Sequence, residues 1–195
     1  MSDKNNMNRI GIYAGIFDPI HDGHLAAARS AVVDLQLDTL FFLVEKSGWG
    51  GKTPIPLQKR QDMVAIATQD DLQLRQLESK EDRFDTDRTL TRLEREYVGD
   101  ELYFVFGADV FMNMNTAQWP GLEKLLKHYI VVFERKNISQ SDIAAHAKEL
   151  GIVVAILPSE YMEHSSTNVR LKPHDRDIWV PKTVSDYIEH KGLYI

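Results

Sequence analysis

Residues 10–25, Ile-Gly-Ile-Tyr-Ala-Gly-Ile-Phe-Asp-Pro-Ile-His-Asp-Gly-His-Leu, narrow the fold more than any other part of this chain. The apolar run 10–14 suits a buried strand. A Gly/Asp/Pro turn follows, and a helix opens near Asp22 with Leu25, Ala26, Ala27 and Ala28 behind it. A helix start presents free backbone N–H groups and the positive end of the helix dipole, where a phosphate sits well. Gly15 carries no Cβ, so the backbone can come close to a ligand, and Pro19 stiffens the turn. His21 and His24 share one face once the helix has begun. On these residues alone, phosphate handling stands beside two alternatives. One is half of a metal site, which needs a third ligand and has no Cys to draw on. The other is a structural pair.

The rest of the chain repeats the alternation of strand and helix. Strand-like runs fall at 9–14, 39–44, 102–106, 129–133 and 152–157, and Leu72, Leu74 and Leu77 alternate with polar residues as in an edge strand. Helical segments fall at 22–35, 57–68, 89–97, 139–150 and 183–190, with Gly151 as a C-cap and Pro181 before the last. The 57–68 helix turns Met63, Val64 and Ile66 inward. This order predicts an α/β, Rossmann-like, doubly wound and mostly parallel sheet of about five to six strands, with helices on both faces. Such a sheet binds ligands outside the carboxyl ends of its strands. The 195 residues suit one domain (9–195) behind a short disordered lead (1–8). A net charge of -6 gives no basic face for nucleic acid, and no apolar run is long enough for a membrane span. With no Cys there is neither a disulfide framework nor a thiol nucleophile. The expected location is the cytoplasm, and homo-oligomerisation stays open.

Three further stretches carry polar groups just beyond predicted strands or at helix starts. Ser165, Ser166 and Thr167 can cap a helix or hold phosphate oxygens, and Arg170 lies one turn on. The plain alternative is a capped helix with a surface arginine. Gly107-Ala108-Asp109 follows the central strand. Its carboxylate suits a ribose, or equally the N-cap of a short helix starting at Val110. Thr86-Asp87-Arg88-Thr89-Leu90 reads as a helix start that either caps itself or lines a pocket. The glycine-rich loop 45–53 carries Trp49 and Lys52 and reads as a mobile lid or as a solvated excursion.

Gly15-x-Phe17-Asp18-Pro19-x-His21-x-Gly23-His24 resembles the signature of the nucleotidylyltransferase superfamily, in the form found in bacterial nicotinate-mononucleotide adenylyltransferases. Ser165-Ser166-Thr167-x-Val169-Arg170 is similar to that family's triphosphate-binding motif, with His164 standing where the family usually has Ile. Gly107-Ala108-Asp109 followed by Trp119, Thr86-x-x-Thr89-Leu90, Arg60-x-x-Met63 and the ending from Val180 to Tyr194 extend the resemblance from Arg9 to Ile195.

The resemblance implies adenylyl transfer from ATP to a pyridine mononucleotide, with Mg²⁺ held mainly by ATP. It implies phosphate contacts from the catalytic candidates His21, His24, Arg170 and Lys52. Gly15, Ile16, Phe17, Asp18, Gly23, Gly107, Asp109, Ser165, Ser166 and Thr167 bind ATP on this reading. Thr86, Thr89 and Trp119 hold the pyridine nucleotide, the indole stacking on the ring. Two departures bear on substrate. The family's proline-rich lysine loop is replaced by glycines, leaving Lys52 as counterpart. Pro120 lacks the main-chain N–H that helps hold the pyridine carboxylate in relatives. The rivals are a sister enzyme with another phosphorylated acceptor, nicotinamide mononucleotide included, and a non-catalytic ATP-binding protein.

Overall fold

The computed structural model describes residues 7–47, 53–115, 117, 119–158 and 164–194. Its elements run β1 (Arg9–Gly15), α1 (Asp22–Asp34), β2 (Thr39–Val44), α2 (Leu57–Thr68), β3 (Leu74–Leu77), α3 (Arg88–Glu96), β4 (Glu101–Gly107), α4 (Ala108–Phe111), α5 (Leu122–Leu125), β5 (Tyr129–Phe133), α6 (Gln140–Glu149), β6 (Val154–Leu157), α7 (Ser166–Leu171), a 3-10 turn (Pro173–Ile178) and α8 (Lys182–His190). The six strands lie side by side in the order β3-β2-β1-β4-β5-β6, and every pairing is parallel. The strand order reverses between β1 and β4, whose carboxyl ends are Gly15 and Gly107. Ligand chemistry belongs at that crevice.

Two apolar cores explain why the central strands are apolar at nearly every position. Tyr13, Val105, Val131 and Phe133 face one core with Leu25, Ala28, Met63, Val64, Val184 and Ile188 from the helices. Ile12, Phe104, Phe106, Ile130 and Val132 face the other with Leu90, Leu93, Phe111, Leu122, Leu125 and Ile143. A strand covered on both sides cannot alternate polar with apolar. Ile66 packs on the first core from a partly buried position.

Local chemistry sets the element ends. Ser139 caps α6 reciprocally with Asp142: the Asp142 N–H donates to Ser139 Oγ at 3.2 Å, and the Ser139 N–H donates to Asp142 Oδ2 at 2.9 Å. Gly151, at φ 72°, ends that helix in the left-handed region. Leu72 lies outside the edge strand and is exposed. The strand begins after Asp71, whose Oδ1 accepts the N–H groups of Gln73 and Leu74. Asp109 is not a cap: Gly107 takes that place, and Asp109 sits in the first turn of α4.

A Cβ at Gly151 meets no heavy atom within 4 Å. Gly151→Ala therefore isolates backbone strain, and urea unfolding should record a loss of about 1 kcal/mol with turnover unchanged.

Candidate active site

In the glycine turn after β1 the left-handed residue is Phe17, at φ 48°. For a bulky residue this costs about 1–2 kcal/mol. Edge-on packing of the Phe17 ring against Tyr13, His24 and Phe42, at centroid distances of 5.4, 5.0 and 5.3 Å, offsets it. The ring folds back over Gly15, where a Cβ would lie 3.0 Å from it. Glycine is needed there to make room for the phenyl ring.

Four backbone carbonyls around this turn converge on one buried guanidinium. Arg60, with no exposed surface, donates from Nε to Ile55 O (2.9 Å), from Nη1 to Ile16 O (2.7 Å) and Glu45 O (2.6 Å), and from Nη2 to Lys46 O (3.0 Å). Burial lowers its pKa, opposed by the charge of Asp18.

The two histidines cap α1 with each other. His21 is the N-cap, and His24 lies three residues on. The His24 N–H donates to His21 Nδ1 and the His21 N–H donates to His24 Nδ1, both at 3.3 Å. This is a capping box with imidazoles in place of Ser and Glu. Their rings stack at 3.6 Å. Each Nδ1 accepts, so each ring carries its proton on Nε2, the atom left to donate to a ligand. Burial lowers the pKa of His21 to about 3, helped by the charges of Arg135 and His164. Burial, His21 and Arg135 hold His24 well below the usual imidazole value. Both rings are neutral near pH 7.

Later segments of the chain brace the same turn. Arg170 Nη1 donates to Asp18 O at 2.5 Å, with Asp18 Oδ2 3.8 Å away, and its Nη2 donates to Thr167 Oγ1. Ser166 Oγ donates to Pro19 O at 2.8 Å, and Ser165 Oγ accepts from the Asn168 N–H as the cap of α7. Tyr194 Oη donates to Asp18 Oδ1 at 2.6 Å. Burial and that carboxylate push the phenol well above its usual pKa.

A cavity of about 740 Å³ opens over the carboxyl ends of β1 and β4. Gly15, Ile16, Phe17, Asp18, His21, His24, Gly107, Asp109, Ser165, Ser166, Thr167 and Arg170 all line it. His164 lines it too, its ring 6.3 Å from that of His21. Gly23 does not: it is buried, and a Cβ there would lie 3.0 Å from both His164 Cβ and His21 Nδ1. Its smallness lets α1 pack beside His164. Lys52 lies outside the described residues, while Thr53 lines this cavity.

A second cavity of about 410 Å³ contains Thr86, Trp119 and Pro120. The Trp119 ring meets Phe106 edge-on at 6.1 Å, and Phe106 lines the larger cavity, so the two spaces share a wall. Thr89 does not reach this cavity. It is fully buried in the first turn of α3, where its Oγ1 accepts the Asp85 N–H. Among the described residues no group of three His, Asp or Glu side chains converges as a metal site.

Two wall residues escaped the sequence reading. Arg135 follows β5, pairs with Asp109 at 3.6 Å, and brings a positive charge toward both histidines. Its place just past an apolar strand was the available signal. Tyr194 sits in a stretch read only as family structure, and nothing local marks it.

The family model described as Cytidylyltransferase-like matches residues 12–172. A probable nicotinate-nucleotide adenylyltransferase of Thermus thermophilus is 32% identical over 193 residues, covering 95% of this chain and 99% of the relative. Its counterpart from Corynebacterium kroppenstedtii is 33% identical over 212 residues, covering all of this chain and 95% of the relative. The chain belongs to the cytidylyltransferase-like family, in its nicotinate-nucleotide adenylyltransferase group. The fold agrees with a solved Plasmodium falciparum nicotinic acid mononucleotide adenylyltransferase complexed with NaAD, at TM-score 0.77 and 17% identity over 96% of this chain and 97% of that one. This adenylyltransferase-group chain is thus an enzyme of the nucleotidyltransferase class. Among the described residues no helix is long and apolar enough to cross a membrane.

Two outcomes test this geometry. Arg60→Met leaves four carbonyls without their donor and should lower the urea-unfolding free energy by at least about 3 kcal/mol. Arg60→Lys should recover little, because one ammonium cannot span them. The second concerns pH. His21 has a lowered folded pKa, so its unfolded form binds a proton that the folded form does not between about 6.5 and about 3. Its stabilisation is fully present above about 6.5 and is lost as pH falls through that window, by about 1.4 kcal/mol per unit. Unfolding curves at pH 7, 6 and 5 should show that decline, and His21→Asn should make it shallower, with His24 supplying the remainder.

Proposed function

We propose that this protein transfers the adenylyl group of ATP to nicotinate mononucleotide in NAD biosynthesis, giving nicotinate adenine dinucleotide and pyrophosphate. The larger cavity carries this reading: it gathers the glycine turn, both imidazole Nε2–H donors and Arg170 at the switch point of the sheet. The adjoining Trp119 cavity supports a flat heterocyclic second substrate. The group names of the relatives point the same way.

An oxygen of the mononucleotide's 5′-phosphate attacks the α-phosphorus of ATP in line. The bond from that phosphorus to the bridging oxygen breaks, and pyrophosphate leaves with the electron pair. No protein nucleophile is needed, so the protein positions the two phosphates and stabilises negative charge. His24 Nε2–H is assigned to the α-phosphate and His21 Nε2–H to the α- and β-phosphates. Arg170 and Lys52 serve the β- and γ-phosphates. Ser165, Ser166 and Thr167 supply the α7 end of that wall, although the Ser166 hydroxyl already holds Pro19 O. Gly15, Ile16, Phe17 and Asp18 contribute the turn, Gly107 and Asp109 the ribose side, and Thr86 and Trp119 the pyridine side.

Asp18 and Asp109, the cavity's carboxylates, are engaged by Tyr194 and Arg135. That donor set does not fit a dedicated protein-held magnesium site. On this reading Mg²⁺ is bound by ATP phosphates and water, as is usual for this ion. The cytoplasm is the proposed location, and the proposed partners are ATP and the pyridine mononucleotide.

Pyrophosphate release with Mg-ATP and nicotinate mononucleotide tests the assignment. His24→Ala should lower turnover about 10²–10³-fold, while ATP affinity, followed by calorimetry, falls far less. Retained turnover in that variant removes His24 from the mechanism, and no release by the unaltered protein removes the reaction.

A further inference from the structure

The 410 Å³ cavity has no main-chain donor at Pro120, and several neighbouring donors are engaged. Asp85 Oδ1 accepts the N–H groups of Asp87 (2.9 Å) and Arg88 (2.7 Å). Asp85 O accepts those of Thr89 (2.9 Å) and Leu90 (3.2 Å), and the Trp119 N–H donates to Asn115 O at 2.9 Å. The Thr86 hydroxyl donates to Pro120 O. An anionic substituent on a ring beside Trp119 therefore finds these backbone donors already taken.

The charged side chains of the same cavity divide unevenly. Arg92 holds the Glu81 carboxylate through two contacts of 3.2 and 3.1 Å. Lys124 pairs with Asp87, and Lys46 lies 3.8 Å from Asp82. The fourth acid, Asp85, is engaged by backbone N–H groups. Each carboxylate of the cavity thus has a partner. Arg88, exposed at the start of α3, lines the same cavity, and its guanidinium has no ion pair or side-chain hydrogen bond among the described residues.

We infer that Arg88 is the specificity-determining residue that selects the acid, pairing its guanidinium with the carboxylate of the pyridine ring in place of the donor that Pro120 lacks. The inference rests on the nicotinate-mononucleotide reading of this cavity. The chemistry is a planar, two-point match of guanidinium to carboxylate, which a neutral carboxamide cannot repay with charge. Arg88 takes no part in the phosphoryl step. Its effect belongs in the KM for the mononucleotide and in the choice between acid and amide.

The experiment is steady-state kcat/KM with Mg-ATP for nicotinate mononucleotide and for nicotinamide mononucleotide. It compares the unaltered protein with Arg88→Gln, Arg88→Lys and Arg83→Gln. In Arg88→Gln the acid-to-amide ratio should fall at least tenfold, through KM for the acid and with KM for ATP unmoved. Arg88→Lys, which keeps charge but loses the fork, should fall between. An unchanged ratio in Arg88→Gln overturns the inference, as does an equal loss on both substrates. A ratio that collapses only in Arg83→Gln also overturns it. These outcomes leave the reaction standing. Failure of the unaltered protein to use either mononucleotide overturns the function itself, and the inference with it.

Discussion

The buried Arg60 guanidinium is the contact on which the site depends. A charge without exposed surface is costly unless its donors are satisfied, and this one is answered by carbonyls from three separate stretches of chain. Those stretches are the turn after β1, the residues just beyond β2, and the approach to α2. The sheet alone fixes where β1 and β2 end. It does not fix how the chain leaves them. Arg60 fixes that exit, and so sets the height of Ile16 and Phe17 above the strand ends. The strained Phe17 conformation is tolerable because the turn is held on that side and filled with aromatic rings on the other.

The histidine pair solves a related problem with less charge. Two imidazolium ions 3.6 Å apart in a buried setting repel one another and lose solvation. The reciprocal Nδ1 contacts avoid both costs by keeping each ring neutral and each Nε2–H pointed away from the cap. A phosphate at such a site meets oriented dipoles first. The positive charges stand further round the wall, at Arg170, Arg135 and Lys136. This separation suits a reaction whose charge is spread over several phosphoryl oxygens.

Much of this was legible in the sequence because period and punctuation agree. The bounds of β2, α2 and β5 follow from apolar runs between turn residues, and Gly151 marks the end of α6. The doubly covered central strand is apparent from its unbroken apolar run. The element α5 and the 3-10 turn were not legible, since four and six residues are too few to show a period, and α4 was raised only as a short helix starting at Val110. At the candidate site, residues directly after β1 and β4 and at the start of α7 line one cavity; strand ends marked the first two, and the family motif marked the third. Thr89 was misplaced because a threonine in a first helical turn looks the same whether its hydroxyl serves a ligand or the preceding backbone. Arg60 and Tyr194 were seen only as parts of a pattern. Their contacts join residues far apart in sequence, and no local rule encodes such a pairing.

Asp18 carries a consequence for how the molecule is made. Its carbonyl is held by Arg170, 152 residues further on, and its carboxylate by Tyr194, 176 residues further on. On the ribosome, β1 and its turn emerge long before either brace exists. Domains fold as units once enough of the chain is available, and here the sheet order needs β4 beside β1 before the crevice forms. The nucleotide site is therefore among the last features of the fold to mature, although its signature is written well ahead of its braces. A nascent chain carries the motif without the means to hold a nucleotide in it.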